Sequence, residues 1–281
     1  MTLQEVYLSG KKMLSKSIES SSFDAISIFE LCFDIDRKEL ILHKFKKAPD
    51  ENIKRFFKLI NQRVSGKPLQ YILGKWKFMS KTFIVEEEVL IPREDTEIIV
   101  NVCYDLLKGM NSPRILELCS GSGIISIMLK DKFKDAKITA IEISTKAVDC
   151  MKKNLVLHGV KDVKILKQDV LKFLPHNKEE FSYDLIVSNP PYIPVSHIKF
   201  LQKEVKQEPQ IALNGGDDGL LFYRAIAQRW SKYIKNTGNI VVEIGINQNE
   251  SVENIFRDQG FETLVFKDFY DIDRVICTKS K

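Results

Sequence analysis

The sequence predicts an α/β protein in which a mostly parallel sheet of about seven strands follows a small helical domain. From Arg114 onward, strand-like and helix-like apolar patterns alternate along the chain, which is the rhythm of parallel strands joined by crossover helices. Before about residue 64, the apolar residues recur at helical spacing. The length of 281 residues accommodates one domain of about 200 residues and a smaller one. We therefore expect two domains.

The first predicted domain, residues 1–75, is a bundle of short helices. Its apolar residues are spaced as on one face of a helix: Val6, Met13, Leu14, Ile26, Phe29, Ile53, Phe56, Phe57 and Ile60. The serines at 20–22 and Pro49 interrupt this pattern and separate the helices. Residues 76–92 then include an alternation of apolar and polar side chains from Trp76 to Val85, which indicates a β-hairpin linker.

The second predicted domain, residues 93–281, opens with a helix over about 95–107. Strand patterns follow it: ILEL from Ile115, KITAIE from Lys137, VKILKQ from Val163, YDLIVS from Tyr183 and NIVVEI from Asn239. Helices are predicted to end near residues 133 and 158, and another covers 220–234. The segments 262–266 and 275–278 are expected to form a hairpin at the sheet edge.

The composition is that of a soluble globular protein, with 44% hydrophobic and 29% charged residues. The longest apolar stretches are far shorter than the roughly 20 residues that span a bilayer. The N-terminus lacks the pattern of a secretory signal, so we expect a cytoplasmic protein. The five cysteines are scattered without zinc-binding spacing, and we expect neither a disulfide framework nor a metal site.

Positive charge is concentrated in the first domain. Residues 1–80 hold 15 Lys and Arg against 9 Asp and Glu, whereas residues 81–281 hold 28 against 29. Between Lys44 and Lys77, ten basic residues face only Asp50 and Glu51. Such a segment can attract an acidic protein surface or nucleic acid, and a solvated lysine-rich face is the other interpretation.

The first candidate site is the turn Glu117-Leu118-Cys119-Ser120-Gly121-Ser122-Gly123, which follows the ILEL strand. Small residues between a strand and its helix let a ligand approach the backbone, although they are also common as structural punctuation or in dinucleotide sites. The third glycine of the dinucleotide fingerprint is missing. Glu142, at the end of the next strand, is suited to accept hydrogen bonds from ribose hydroxyls. An adenosine ligand without a pyrophosphate, S-adenosylmethionine, fits this pattern.

Further acidic residues follow the ends of neighbouring strands. Glu117 is expected to hold the ammonium group of the ligand's amino-acid tail. Asp169 and Val170 are expected to lie at the adenine edge. Their shared position at the carboxyl ends of parallel strands favours a common site.

The most specific feature is the tetrapeptide Asn189-Pro190-Pro191-Tyr192 after the YDLIVS strand. Consecutive prolines stiffen the loop and leave its carbonyl groups free. The Asn189 side-chain oxygen and the Pro190 carbonyl are suited to accept hydrogen bonds from a planar NH2 group, which is a poor nucleophile and has to be oriented. Tyr192 offers a flat face beside developing positive charge. The pattern predicts methyl transfer to an amide or amino nitrogen, and a rigid turn without catalytic role is the simpler alternative.

The chain resembles the HemK/PrmC family of protein-(glutamine) methyltransferases over nearly its whole length. The resemblance is carried by the turn at 119–123, the tetrapeptide at 189–192 and the following segments: Gly66-Lys67-Pro68-Leu69-Gln70-Tyr71-Ile72-Leu73-Gly74, Ile91-Pro92-Arg93-Glu94-Asp95-Thr96-Glu97, Glu208-Pro209, Gly215-Gly216-Asp217-Asp218-Gly219-Leu220, Phe222-Tyr223-Arg224, Glu243-Ile244-Gly245 and Asp273-Arg274.

The resemblance implies a Rossmann-like, seven-stranded S-adenosylmethionine-dependent methyltransferase domain. It implies methyl transfer from S-adenosylmethionine to the side-chain amide nitrogen of the glutamine in the Gly-Gly-Gln motif of class-1 peptide-chain release factors, with S-adenosylhomocysteine as product and no metal. It implies cofactor contacts at 119–123, 142, 170 and 189, and substrate contacts at 189–192. We expect the first domain to recognise the protein substrate, and we expect a monomer.

The sequence departs from the family pattern at a few positions. Glu117 and Glu142 stand where aspartate is usual, Cys119 where glycine is common, Glu94 where proline is common, and Asp271 where a glycine is expected. The two acidic replacements keep the charge on a longer side chain.

Other functions compete with this interpretation. A DNA adenine-N6 methyltransferase would use the same type of tetrapeptide, but the short helical domain lacks aromatic residues placed for base stacking. Methylation of ribosomal or transfer RNA is a related alternative. A binding module with a methyltransferase-like fold would not need both sites intact.

Overall fold

The computed structural model describes residues 1–175 and 182–279, and the chain divides into two compact units. The first, the helical unit, comprises Met1–Trp76 and Gln202–Gln207. The second, the sheet unit, comprises Lys77–Leu201 and Glu208–Lys281. Within the described ranges, no helix has both the length and the hydrophobicity to cross a membrane.

Five helices form the helical unit around one apolar core. They are α1 (Leu3–Leu14), α2 (Ser21–Phe33), α3 (Arg37–Leu42), α4 (Asp50–Val64) and α5 (Leu69–Leu73). Val6, Phe29, Phe56 and Ile60 are fully buried in this core, because the helical spacing of apolar residues places them on the inner faces. The Thr2 side chain caps α1 in a capping box. The predicted helical bundle is confirmed.

An ion pair with the buried Arg63 joins residues 202–207 to the helical unit. Arg63 in α4 is buried, and its guanidinium lies 2.6 Å from the Asp24 carboxylate and 2.9 Å from the Glu204 carboxylate. Because a buried charge is costly unless it is paired, this arginine holds both carboxylates in place. The sequence prediction assigned all of 93–281 to the second domain, since a short return of the chain to another core leaves no composition signal.

A small β-hairpin follows the helices, as predicted. Its strands are β1 (Lys75–Phe78) and β2 (Lys81–Ile84). Met79 in the connecting turn has a φ of 49°, in the left-handed region that hairpin turns use.

Seven strands form one sheet in the sheet unit: β3 (Arg114–Leu118), β4 (Lys137–Glu142), β5 (Val163–Lys167), β6 (Tyr183–Ser188), β7 (Ile234–Glu243), β8 (Thr263–Lys267) and β9 (Asp273–Thr278). The strand order is β5-β4-β3-β6-β7-β9-β8. The first five in this order are parallel, whereas β9 is antiparallel to both of its neighbours. The α/β fold with an antiparallel edge hairpin is therefore confirmed.

Helices cover both faces of the sheet. They are α6 (Thr96–Leu106), α7 (Ile124–Lys132), α8 (Thr145–Leu157), α9 (Leu221–Gln228) and α10 (Asn249–Arg257). Adjacent residues of β3 show the two layers: Ile115 packs in a core with Ile99 of α6, and Leu116 packs in another with Tyr223 of α9 and Phe256 of α10. Successive side chains of a strand point to opposite faces, so a strand covered on both sides reads as a continuous apolar run.

Two boundaries differ from the sequence prediction. The helix expected over 220–234 ends at Gln228, and a 3-10 turn, Trp230–Tyr233, follows it. At the break, the Arg229 and Trp230 side chains donate hydrogen bonds to backbone carbonyls of residues 170–172. The strand expected from Asn239 begins at Ile234, which pairs with Tyr183 of β6 before a shift in register.

Candidate active site

The predicted site residues converge at one edge of the sheet unit. Because the carboxyl ends of parallel strands share an edge, the loops after β3, β4, β5 and β6 meet there. They surround a cleft of about 260 Å³ and an adjoining cavity of about 40 Å³. The predicted residues that line one or both are Glu117, Cys119, Ser120, Gly121, Ser122, Glu142, Asp169, Val170, Asn189 and Pro191.

The turn between β3 and α7 is held in left-handed backbone conformations. Cys119, Gly121 and Gly123 have φ angles of 56°, 53° and 79°. A Cβ atom on Gly123 would lie 2.6 Å from the Met151 Cγ, so only glycine fits there. The Ser120 amide donates to the Ile141 carbonyl at 3.1 Å, which ties the turn to β4. Gly123 is the N-cap of α7 and does not line the cleft.

Glu142 joins two of the loops. Its Oε2 accepts a hydrogen bond from the Gly121 amide and its Oε1 accepts one from the Ser144 amide, both at 2.8 Å. Burial raises the pKa of this carboxyl, and the amide donors oppose the effect. A carboxylate has about four acceptor positions, so Glu142 keeps capacity for a further donor in the cleft.

Glu117, at the end of β3, lies behind the turn and is almost fully buried. Its Oε2 accepts hydrogen bonds from both the amide and the hydroxyl of Ser126, in the first turn of α7. Burial raises the pKa of Glu117 to about 8, although the bonds from Ser126 favour the ionised form. A cation that approached through the small cavity would further favour ionisation.

Asp169 and Val170 form the wall of the cleft after β5. The Asp169 Oδ1 accepts a hydrogen bond from the Leu171 amide at 2.9 Å, which closes a local turn. Val170 is buried, and its carbonyl accepts from the Trp230 indole at 3.0 Å. The side chain of Val170 therefore has a fixed apolar position beside the carboxylate of Asp169.

Asn189 follows β6. In the sheet, β6 and the strand that carries Glu142, β4, lie on either side of β3. Its Nδ2 donates a hydrogen bond to the Thr96 Oγ1 at 3.1 Å. The Thr96 hydroxyl in turn donates to the Glu243 Oε2 at 2.8 Å. Burial raises the pKa of Glu243 to about 7. Asn189 lines both the cleft and the small cavity.

The rest of the tetrapeptide is held in place by burial and by contacts with neighbouring segments. Pro190 and Pro191 are buried. The Gln248 Nε2 donates to the Tyr192 carbonyl at 2.9 Å. A Cβ on Gly215 would come within 2.8 Å of the Tyr192 Cα. Pro190 and Tyr192 do not line either cavity, and burial raises the pKa of the Tyr192 hydroxyl.

The structure adds residues to the site that sequence reasoning did not assign. Thr96 and Glu243 support Asn189, and Phe222 lines the cleft. Glu208 is buried, forms an ion pair with Arg93 and accepts from the Ile91 amide. All of these residues belong to segments that carried the family resemblance, so the sequence indicated that these segments matter. Only the fold shows which residues each of them contacts.

Comparison with known proteins decides the family. Two family models match the chain, the "PrmC N-terminal domain" over residues 5–74 and the "Methyltransferase small domain" over residues 96–217. A release factor glutamine methyltransferase from Clostridium botulinum is 36% identical over 280 residues, which are 98% of each chain. This chain belongs to the release factor glutamine methyltransferase family. The resemblance inferred from the motifs is therefore confirmed.

Other comparisons agree with this membership. A release factor glutamine methyltransferase from Fusobacterium nucleatum is 38% identical over 259 residues, covering 91% of this chain and 72% of the relative. An S-adenosylmethionine-dependent methyltransferase structure from Agrobacterium tumefaciens has a TM-score of 0.52 at 14% identity, covering 74% of this chain and 71% of its own. This structural likeness shows the fold alone. Membership in a family of S-adenosylmethionine-dependent methyltransferases implies S-adenosylmethionine as the methyl donor.

Proposed function

We propose that this protein methylates the side-chain amide nitrogen of the glutamine in the Gly-Gly-Gln motif of class-1 peptide-chain release factors. The observation that carries the proposal is the position of Asn189, whose amide lines the cleft and is anchored through its nitrogen. The amide oxygen is thereby available to a planar NH2 group. Family membership over the whole chain supports a glutamine amide as that group.

The cleft has the groups that S-adenosylmethionine requires. Glu142 has acceptor positions for the ribose hydroxyls, and Asp169 with Val170 offers a carboxylate and an apolar wall for the adenine. Glu117 is a buried carboxylate next to the small cavity, suited to the ammonium of the amino-acid tail. The small residues at 119–123 let the ligand approach the backbone. When bound, S-adenosylmethionine supplies an electrophilic methyl group on a sulfonium and leaves as S-adenosylhomocysteine.

The chain's own residues act mainly by orientation. An amide nitrogen is a poor nucleophile because its lone pair is delocalised. Hydrogen bonds from the acceptor NH2 group to the Asn189 Oδ1 and the Pro190 carbonyl would hold the nitrogen in line with the methyl group. Tyr192 would pack beside the acceptor amide and stabilise the positive charge that develops on its nitrogen. The released proton can pass to water, so the mechanism needs neither a side-chain base nor a metal.

The helical unit is the part we propose to recognise the protein substrate. It carries the excess of positive charge, and the cofactor residues lie outside it. We propose that the protein acts in the cytoplasm as a monomer.

The experiment that tests the function offers labelled S-adenosylmethionine together with a release factor, the same factor with Gln→Ala in its Gly-Gly-Gln motif, or duplex DNA. We expect label only in the unaltered factor. Asn189→Ala should lower the single-turnover rate by about 100- to 1000-fold with less than about tenfold loss of cofactor affinity. Label in DNA would support the adenine alternative instead. Cofactor binding without transfer to any acceptor would support the binding-module alternative.

A further inference from the structure

A hydrogen-bond relay lies behind Asn189 and joins three elements of the sheet unit. Thr96 is the first residue of α6, Glu243 the last of β7, and Asn189 follows β6. Thr96 and Glu243 are at most 2% exposed. The Asn189 Nδ2 donates to the Thr96 Oγ1 at 3.1 Å, and the Thr96 hydroxyl donates to the Glu243 Oε2 at 2.8 Å.

Counting hydrogens fixes the direction of this relay when Glu243 is ionised. A threonine hydroxyl has one hydrogen, and an ionised carboxylate can only accept. The Thr96 hydrogen is therefore committed to Glu243, and the Thr96 oxygen can only accept from its other neighbour. Asn189 must present its NH2 group to Thr96, which turns its Oδ1 to the other side.

The direction matters because an asparagine amide has two orientations of nearly equal shape. Rotation about its terminal torsion exchanges the oxygen and the NH2 group, and this torsion is broad and roughly two-fold. In the exchanged orientation, the Asn189 NH2 group would face the NH2 group of the acceptor. Two donors would then oppose each other, and the acceptor would lose the bond that orients it.

We propose that Thr96 and Glu243 are positioning residues that fix the orientation of the Asn189 amide, so that its oxygen accepts the hydrogen bond from the acceptor NH2 group. This inference rests on the proposed function. Neither residue has to contact the reacting atoms, because each acts through Asn189. In the same loop, the Tyr192 carbonyl accepts a hydrogen bond from the Gln248 Nε2 at 2.9 Å.

Protonation of Glu243 would remove the constraint. A protonated carboxyl can donate to the Thr96 oxygen, which frees the Thr96 hydrogen for the Asn189 Oδ1 and permits the exchanged orientation. Burial and the nearby Asp95 carboxylate raise the pKa of Glu243, the hydrogen bonds from Thr96 and Asn189 and the charge of Arg274 lower it, and the resulting pKa is about 7. The Tyr192 and Tyr223 hydroxyls also face this carboxyl, and burial keeps both neutral around pH 7. The rate should therefore fall as the pH drops through neutrality.

The test measures single-turnover methylation of a release factor at saturating cofactor, alongside cofactor affinity by calorimetry. Thr96→Val removes the hydroxyl and keeps the shape, and should lower the rate about 10- to 100-fold with cofactor affinity changed less than about threefold. Thr96→Ser keeps the hydroxyl and should restore most of the rate. Thr139→Val, which removes a buried hydroxyl from β4 in the same sheet, is the matched control and should retain the wild-type rate.

A double-mutant cycle separates positioning from general damage. In an Asn189→Ala background, Thr96→Val should lower the rate less than about twofold, because the group it orients is already gone. Glu243→Gln keeps the shape but can donate, so it should lower the rate and abolish the fall below neutral pH. If Thr96→Val does not fold, Glu243→Gln in the same cycle decides the question.

Three results would overturn the inference: a wild-type rate in Thr96→Val, equal losses in the presence and absence of Asn189, or a wild-type pH profile in Glu243→Gln. The proposed function fails in a different way. In that case, the release factor is not methylated by the unaltered protein, or Asn189→Ala itself turns over at the wild-type rate.

Discussion

Glu142 combines a structural role with the ligand-binding role that we propose for it. It already accepts from the Gly121 and Ser144 amides, so it is fixed in place before a ribose arrives. Glu142→Ala should weaken cofactor binding by about 1.5–3 kcal/mol, roughly 10- to 150-fold, because a charged acceptor is lost. Calorimetric titration of S-adenosylmethionine measures this. Glu142→Gln retains one acceptor oxygen and should lose less, whereas unchanged affinity in the alanine variant would exclude the ribose assignment.

The proposed contact of Glu117 with the ammonium group of the cofactor predicts that cofactor binding depends on pH. Burial raises the pKa of its carboxyl to about 8 in the free protein, so most of it is protonated at pH 7. An ammonium group stabilises the ionised form, and its binding below pH 8 therefore releases a proton. Cofactor affinity should rise between pH 6 and pH 8, by about 25-fold if the pKa in the complex falls to 6.

Calorimetry in buffers with different ionisation enthalpies measures the proton released by this binding. Glu117→Gln is the matched control, because it keeps the shape and cannot titrate. Its affinity should be lower and nearly independent of pH. A pH dependence that persists in Glu117→Gln would assign the effect to another group and remove Glu117 from the ammonium site.

At the scale of an element, the turn before α7 depends on its glycines for two different reasons. Gly123 has a positive φ, and a Cβ there would meet Met151 at 2.6 Å, whereas Gly121 has a positive φ and, apart from its chain neighbours, no atom of the described residues lies within 4 Å of such a Cβ. Gly121→Ala should therefore lower the free energy of unfolding by about 1–2 kcal/mol from backbone strain alone. Gly123→Ala should lower it by about 2–4 kcal/mol, since overpacking adds to the strain.

Denaturant unfolding of both variants checks this difference. Equal losses would mean that Met151 moves aside without cost, and the close approach of α7 to α8 would then not be the reason for the glycine.

The hairpin between β8 and β9 explains one departure from the family pattern. Asp271 stands where a glycine is expected and has a φ of 62°. Aspartate is among the residues that tolerate this left-handed conformation, since its short polar side chain can form local bonds. Its carboxylate pairs with Lys267 at 2.9 Å, and its amide donates to the Asp268 carbonyl at 3.1 Å. Cys119 occupies a left-handed position in the same way, without a polar side chain to support it.

For the whole molecule, the uneven charge predicts how the protein substrate is recognised. Lys46, Lys47 and Lys54 are exposed on the helical unit. Replacing all three by glutamine should lower kcat/KM for a whole release factor by about tenfold at low salt, and less at high salt, because screening weakens such attraction. The variant should methylate a short Gly-Gly-Gln peptide as fast as the wild type does.

The matched control replaces Lys132, Lys137 and Lys161, which are exposed lysines of the sheet unit. It should leave both substrates unaffected. Equal losses on whole factor and peptide, or the same loss in the control, would show that the helical unit does not recognise the substrate by its charge.

The sequence by itself determined the fold class and the location of the site. Apolar periodicity distinguishes helices from strands because side chains repeat every 3.6 residues in one and every 2 in the other. The alternation after Arg114 therefore specified a parallel sheet. The carboxyl ends of its strands specified where Cys119, Glu142, Asp169 and Asn189 would meet. These inferences depend only on neighbours along the chain.

The tertiary structure alone decided which distant residues complete the site. Thr96 and Glu243 are 147 positions apart, yet they share one hydrogen bond, and Asn189 joins them from a third element. The return of Gln202–Gln207 to the helical unit likewise depends on Arg63, far earlier in the chain. A hydrogen bond acts between atoms about 3 Å apart, whatever their separation in sequence. Periodicity and spacing do not indicate such contacts, which form only when the chain folds.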